Sequence, residues 1–467
     1  MKSNSHTLPR VCVIGCGSSG IPSIKALAER GFDFDCFEAS DEVGGNWTFR
    51  NNNNMSAAYE SLHINTHAGL MQYADYPMPD STPDFPSHRL IKSYFDTYID
   101  HFDLRDKILF ETKVKHAERE KDGSWKVTTE GKHAKTDYYD ALIVANGHHW
   151  DPRWPAADEY PGEFGGQQMH AHSYMTPEDP INFKGKNVLV VGMGNSAMDI
   201  ASELSRTGLA NNLYISARHG HWVMPKYAFG KPITDLASFP HWMPWWVTSA
   251  ISRVVIGLTV GAPQNYGLQK PDHKLLQSHP TVSSDFLQRV GSGDVIPRPG
   301  IKSLAADKVE FVDGREDAID VIIWATGYNV NFPFFDPDFL APKANDLPRW
   351  NQTLMPEFDN LFFIGLFQPL GAVMPLAEKQ AKIVADHLAG EIHFPSRQQM
   401  RKEMAAERAA MTKRYGHAPR HTMQVDNEPF HHALDMMRKH GEKRAQKAGN
   451  TLPVGPKGRS QTKQKAA

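Results

Sequence analysis

The stretch Gly15-Cys16-Gly17-Ser18-Ser19-Gly20 constrains this 467-residue chain more than any other. The run before it, Val11-Cys12-Val13-Ile14, is apolar and β-branched, as a buried strand requires. The run after it, Ile21 to Arg30, reads as a helix closed by Gly31. Strand, glycine turn and helix in direct succession form a dinucleotide-binding unit. Gly15 permits the tight turn, Gly17 lets a pyrophosphate approach the backbone, and Gly20 lets helix pack on strand. The phosphates would lie at a helix N-terminus, where free N–H groups and the dipole favour negative charge. The next strand, Phe34-Asp35-Cys36-Phe37, ends at Glu38, 21 residues after Gly17, where a ribose-binding acid is expected. A carboxylate there accepts two ribose hydroxyls and repels a 2′-phosphate.

The pattern recurs at Lys186-Asn187-Val188-Leu189-Val190-Val191-Gly192-Met193-Gly194-Asn195-Ser196-Ala197, with Ala197 in the third glycine's place. After the following strand, Leu213-Tyr214-Ile215-Ser216-Ala217, no acid appears. Arg218 does, 24 residues after Gly194. A cation at this strand end is what a 2′-phosphate requires. The first unit therefore prefers an unphosphorylated ribose and the second prefers NADPH. The expected fold is α/β, with two Rossmann-like dinucleotide-binding domains, the second inserted into the first. The expected boundaries are 1–157 and 327–447 for the two parts of the first domain and 158–326 for the second. A helical insertion is expected at about 225–295, and a disordered basic tail at 448–467.

Between these units lie weaker signals. Asp41-Glu42-Val43-Gly44-Gly45-Asn46-Trp47 carries a glycine pair that permits close backbone approach to a ligand. Trp47 either covers a flat ring or fills the core. Tyr59 to Pro79 mixes polar and aromatic residues without a helical period and suits a pocket wall. Ser87 to Phe102 has helical spacing. Ile108-Leu109-Phe110, Thr112-Lys113-Val114 and Trp125-Lys126-Val127-Thr128 read as a small antiparallel sheet. Tyr138 to Gly147 reads as one buried strand, and Asp320 to Tyr328 mirrors it. Asn360 to Gly365 is a further strand, followed by a helix from about Leu376 to Leu388 that ends by Gly390, with Pro375 in its first turn. His170 and His172 lack a second cluster with ligand spacing, so no metal is expected.

With 51 basic and 53 acidic residues, the overall charge gives no argument for nucleic acid. From Arg438 onward nine residues are basic and one is acidic, and the end is poor in aromatics, as in a solvated tail. Cys12, Cys16 and Cys36 form neither a disulfide framework nor a CxxC, which argues strongly against a disulfide reductase and suits a cytoplasmic location. A first strand at Val11 leaves no room for a signal peptide. Trp242 to Ala262 is apolar but holds Pro244 and Arg253. It reads as a helical hairpin or a lid rather than a membrane span, and peripheral contact with a bilayer stays open.

Phe164-x-Gly166-x-x-x-His170-x-x-x-Tyr174 matches an identifying motif of class B flavoprotein monooxygenases, and the chain resembles the flavin-containing monooxygenases among them. Gly44-Gly45-Asn46-Trp47, Ser61-Leu62-His63-Ile64-Asn65-Thr66, Asn265-Tyr266-Gly267-Leu268, Ala325-Thr326-Gly327-Tyr328 and Phe363 to Gly371 support the resemblance, which runs from Val11 to about Gly390. It implies an NADPH- and O2-dependent enzyme that oxygenates nucleophilic nitrogen or sulfur in small amines and sulfides through a C4a-hydroperoxyflavin. It places FAD on Gly15, Gly17, Ser19, Gly20, Glu38 and Trp47 and NADPH on Gly192, Gly194, Asn195, Ser196 and Arg218, and adds Ser18, Gly45, Asn65, Thr66, Val114, Gln368, Tyr174, Ser216, Ala325, Thr326 and Gly327 as further cofactor-binding residues. The catalytic residue it implies is Asn65, whose amide sits beside the flavin. Relatives that insert oxygen next to ketones usually carry Trp-Pro where this chain has Tyr174-Met175, which argues against that chemistry. A non-catalytic sensor binding both nucleotides is the reading from another class. Relatives are often homodimers.

Overall fold

The computed structural model describes residues 7–342, 345–415 and 423–456. The chain opens with β1 (Val11–Ile14), fully buried, and turns directly into α1 (Gly20–Glu29). This helix stops where the chain requires a left-handed residue. Gly31 has φ +72°, its N–H reaches the Ala28 carbonyl, and the Phe32 N–H reaches Leu27. These two bonds satisfy carbonyls that the helix end leaves open, and Phe32 and Leu27 share one apolar core. Next come β2 (Phe34–Phe37), α2 (His88–His101), β3 (Ile108–Leu109), β4 (Thr112–Arg119), β5 (Trp125–Gly131), β6 (Thr136–Tyr139) and β7 (Ala141–Val144).

The crossover leads to β8 (Gln167–His170), β9 (Asn187–Val191), α3 (Asn195–Leu204) and β10 (Asn212–Ser216). An extended, mostly irregular stretch containing α4 (Trp245–Thr259) precedes β11 (Ile296–Arg298). The chain then runs through β12 (Val321–Trp324), β13 (Leu361–Phe363), α5 (Met374–Leu388) and α6 (Asn427–Lys447).

Two five-stranded parallel sheets result. Their orders are β13-β7-β1-β2-β3 and β11-β10-β9-β12-β8. β1, β7 and β12 are buried at every residue, because helices or loops cover both faces of a parallel sheet. In each sheet the strand that carries the glycine turn lies in the middle. The segment after β12 leads to β13, so the first sheet is completed by residues on both sides of the second.

Three expectations are corrected. Ile108–Leu109 does not join the small antiparallel sheet; it pairs parallel with Cys36 and Phe37 as an edge of the first sheet. Glu111, at φ +50°, then turns the chain into β4, and the antiparallel sheet is β4-β5-β6. The stretch Tyr138 to Val144 is two strands rather than one. At Asp140 the chain changes sheets, held there by the Arg10 N–H on its carboxylate (2.8 Å) and the Asn360 amide on its carbonyl (2.6 Å). Trp242 to Ala262 holds one helix, α4, and no hairpin.

The chain past Ala448 was expected to be solvated, yet Val454 is 3% exposed and packs in the core formed with α1 and α5. The Thr451 carbonyl also contacts His393 Nε2 at 2.8 Å. Residues 457–467 of that tail lie outside the described residues. Val454→Ser is expected to lower the unfolding free energy by about 1.5–3 kcal/mol, the cost of losing a buried valine. Urea denaturation measures it, and an unshifted midpoint would mean that residues 448–456 are not docked.

Candidate functional site

At the first glycine turn the chain leaves no space for side chains. Gly15 has φ +94°, and a Cβ on it would lie 2.8 Å from the Ala145 carbonyl oxygen. A Cβ on Gly20 would lie 1.9 Å from the Gly15 carbonyl oxygen. α1 is therefore seated on β1 by backbone alone. Gly17 faces Gly44 and Gly45, which are left-handed at φ +116° and +54°. A Cβ on Gly45 would lie 3.2 Å from the Gly17 Cα. The result is a bare backbone trench at the N-terminus of α1, and it fits a pyrophosphate. Ser18 accepts the Tyr73 hydroxyl on its carbonyl at 2.7 Å. The Ser19 side chain packs under Gly365, where a Cβ would lie 1.8 Å from its Oγ.

Glu38 closes β2 and is buried. Its oxygens accept the Cys16 N–H (2.7 Å) and the Ser40 N–H (2.8 Å). Burial raises its pKa, and the backbone N–H bonds oppose that rise. The carboxylate thus pins the glycine turn to the strand end where a ribose would sit. Trp47 is half-buried against the first core.

Asn65 lies between buried Ile64 and Thr66. Its Oδ1 is buried and accepts no hydrogen bond among the described residues. A buried unpaired amide oxygen is costly unless a ligand completes it, and a flavin-bound site fits that need. Val114 lies in β4 with its side chain in the core, which leaves only its backbone for a ligand. Gln368 is half-buried and pairs with Gln424 in a two-stranded parallel ladder of three residue pairs.

The second turn repeats the first. Gly192 has φ +130°, and a Cβ there would lie 2.4 Å from the Ala325 carbonyl oxygen. Gly194, at the start of α3, has open space around it, so the cradle fits a second pyrophosphate. Asn195 Oδ1 accepts the Val282 N–H at 3.0 Å and Ser196 is half-buried. The buried Ser216 donates its hydroxyl to the Pro299 carbonyl at 2.6 Å. Arg218 is exposed and pairs with Glu159 at 3.1 Å. Beside these strand ends lies a cavity of about 570 Å³ lined by Ala217, His219, Gln269, Pro297, Arg298 and Arg315, among others. Ala325, Thr326 and Gly327 leave β12 for the first sheet. Thr326 Oγ1 donates to the Arg153 carbonyl, and Gly327 has φ +87°.

Tyr174 is corrected from a cofactor contact to a packing residue. It is fully buried beside Tyr59 and Phe183, and its hydroxyl donates to Glu203 at 2.8 Å. Ser61 also donates to Glu203 (2.8 Å), and Tyr59 donates to Asp199 (2.5 Å). Two acids on α3 thereby hold residues 59–61 of the first unit against the second. Sequence reasoning missed this joint. Its signal was spacing, since Asp199 and Glu203 follow Asn195 by one and two helical turns. Burial lifts the Asp199 carboxyl to about 6.

Residues 8–438 match the family model described as flavin-binding monooxygenase-like. The chain is 36% identical over 436 residues to flavin-containing monooxygenase 5 of Rattus norvegicus, covering 89% of this chain and 80% of the relative. It is 33% identical over 438 residues to dimethylaniline monooxygenase [N-oxide-forming] 2 of Macaca mulatta, with the same coverage. The solved S-allyl-L-cysteine S-oxygenase of Allium sativum superposes with TM-score 0.69 at 23% identity, over 94% of this chain and 93% of that one.

Two outcomes are expected from this geometry. Gly20→Ala should abolish soluble, flavin-containing protein, whereas Gly194→Ala should keep the melting temperature and raise KM for NADPH; equal effects on folding would contradict the two cradles as described. Asp199 is raised from 3.8 to about 6, so its contribution to stability is greatest below about pH 4 and is lost as pH rises through 6. The stability of the wild type relative to Asp199→Asn should fall by on the order of 2–3 kcal/mol across that window. A pH-independent difference in urea unfolding would exclude a buried, titrating Asp199.

Proposed function

The chain belongs to the flavin-binding monooxygenase-like family, and from that premise we propose how its residues share the work. It is an NADPH- and O2-dependent flavoprotein monooxygenase that oxygenates nucleophilic nitrogen or sulfur. When bound, FAD reduced by NADPH supplies with dioxygen an electrophilic oxygen atom. The trench of Gly17, Gly44 and Gly45 at the N-terminus of α1 holds the FAD pyrophosphate, and Glu38 takes the adjoining ribose. Gly192, Gly194 and the N-terminus of α3 hold the NADPH pyrophosphate, and Arg218 takes the 2′-phosphate. Asn65, whose buried Oδ1 has no partner among the described residues, would offer its amide to the bound cofactors. No acid–base pair is needed, because the attacking amine or sulfide brings its own lone pair.

The observation that carries this reading is the pair of open glycine cradles, one followed by a buried acid and the other by an exposed arginine. The relatives' names identify an aromatic tertiary amine and an allyl thioether as their substrates, and we assign this chain small amines and sulfides of that kind. Asn65→Ala should continue to oxidise NADPH but release peroxide, with N-oxide or sulfoxide formation reduced on the order of 10²-fold. Unchanged coupling would remove Asn65 from the reaction.

We also propose that the protein is cytoplasmic, as its three buried free cysteines suit, and that α4 rests on a lipid surface. This helix is inverted. It buries Ser249, Ser252 and Ile256, with Ser249 Oγ on the Leu275 carbonyl at 2.5 Å, and presents Trp246, Val254 and Leu258 to solvent. Trp242 flanks them, and Trp245–Thr259 contains no acid. Exposed tryptophans around aliphatic side chains suit a membrane interface. Trp246→Ser with Leu258→Ser should abolish co-sedimentation with anionic phospholipid vesicles. Absence of binding by the wild type, with a dimer in sedimentation velocity that the double variant dissolves, would instead assign the face to a second copy.

A further inference from the structure

The cavity beyond β10 and β11 is lined by Arg298 and Arg315, and Arg218 stands in the chain between its lining residues Ala217 and His219; all three cations already have partners. Arg298 forms a two-pronged pair with Asp317 at 2.5 and 3.0 Å, both side chains are largely buried, and the guanidinium lies over the Tyr214 ring at 5.1 Å. Arg315 pairs with Asp313 at 3.1 Å. Arg218 pairs with Glu159 at 3.1 Å. Three arginines thus face three acids, and this end of the coenzyme site presents no uncompensated positive charge among the side chains named.

The Arg218 pair is asymmetric. Arg218 is 60% exposed and Glu159 only 18%. The Glu159 carboxylate is held from behind: its other oxygen accepts the Ala156 N–H at 3.2 Å, and the next residue, Tyr160, stacks on Trp324 at 5.5 Å. Arg218 is bounded on the far side by Gly300, where a Cβ would lie 3.4 Å from its Cγ. The arginine can leave; the acid is fixed. A 2′-phosphate carrying nearly two negative charges must therefore draw Arg218 away from Glu159 or sit beside a carboxylate. A coenzyme with a free 2′-hydroxyl meets neither cost.

We propose that Glu159 is a specificity-determining residue that weakens 2′-phosphate binding and so narrows the preference for NADPH over NADH. The proposal rests on the reading of Arg218 as the 2′-phosphate partner. The acid acts on the phosphorylated coenzyme alone, because repulsion and competition for Arg218 both require the extra charge. The effect is that of one partly exposed pair, screened by salt.

The test is calorimetric titration of the FAD-loaded protein with adenosine 2′,5′-bisphosphate and with AMP, at fixed ionic strength. Glu159→Gln should bind the bisphosphate about three- to fivefold more tightly and AMP as the wild type does, which also shows that the variant is folded. The ratio of kcat/KM for NADPH to that for NADH should rise by the same factor. Arg218→Ala should weaken bisphosphate binding, and in that background Glu159→Gln should restore only the part due to repulsion. If Arg218→Ala weakens binding while Glu159→Gln loosens it or leaves it unchanged, the acid orients the arginine or does nothing, and the proposal is overturned alone. If Arg218→Ala leaves bisphosphate binding intact, the reading of Arg218 falls and takes the proposal with it.

Discussion

Two points of backbone contact decide this architecture. At Gly20 and at Gly192, a single added carbon would meet a carbonyl oxygen at 1.9 and 2.4 Å. No rearrangement of a flexible side chain relieves such a clash, because both partners are main chain. Close seating of α1 on β1, and of β9 beside the exit of β12, brings two helix N-termini to the carboxyl ends of two parallel sheets. Helix starts concentrate free N–H groups and partial positive charge. The remaining residues proposed for the cofactors, Glu38, Asn65 and Arg218, are then matters of what lies at the next strand end or loop.

The joint between the two units combines directional hydrogen bonds with apolar packing, since Tyr59 and Leu62 also sit against the core of the second unit. Tyr59 and Ser61 reach across to Asp199 and Glu203 on the helix that starts at the second cradle. These bonds tie α3 to residues 59–61, four to six positions before Asn65. Lys226, from the segment between β10 and β11, holds the Ile64 carbonyl at 3.3 Å. The segment that carries Asn65 is thus tethered on one side by α3 and on the other by the insertion.

Much of this was legible in the residues. Glycine spacing, buried β-branched runs and the acid or arginine at the following strand end are local signals, and each was found where the pattern put it. What failed depended on partners far away in the chain. Ile108–Leu109 joins the first sheet because β2 offers a free edge, which its own letters do not state. Tyr138 to Val144 divides at Asp140 because Arg10 and Asn360 hold that residue. Tyr174 belongs to a family motif, yet its ring faces the core and its hydroxyl faces Glu203. α4 was recognisably apolar, while its inversion, serines inward and tryptophan outward, emerged only from the packing.

We propose that two dinucleotide cradles act with Asn65 to deliver one oxygen atom to a nucleophilic substrate. Isotopically labelled dioxygen tests it most directly, in the purified yellow protein with NADPH and either dimethylaniline or an allyl thioether. One labelled atom should appear in the N-oxide or sulfoxide for each NADPH consumed. Recovery of all the label in peroxide or water, with the substrate unchanged, would contradict it.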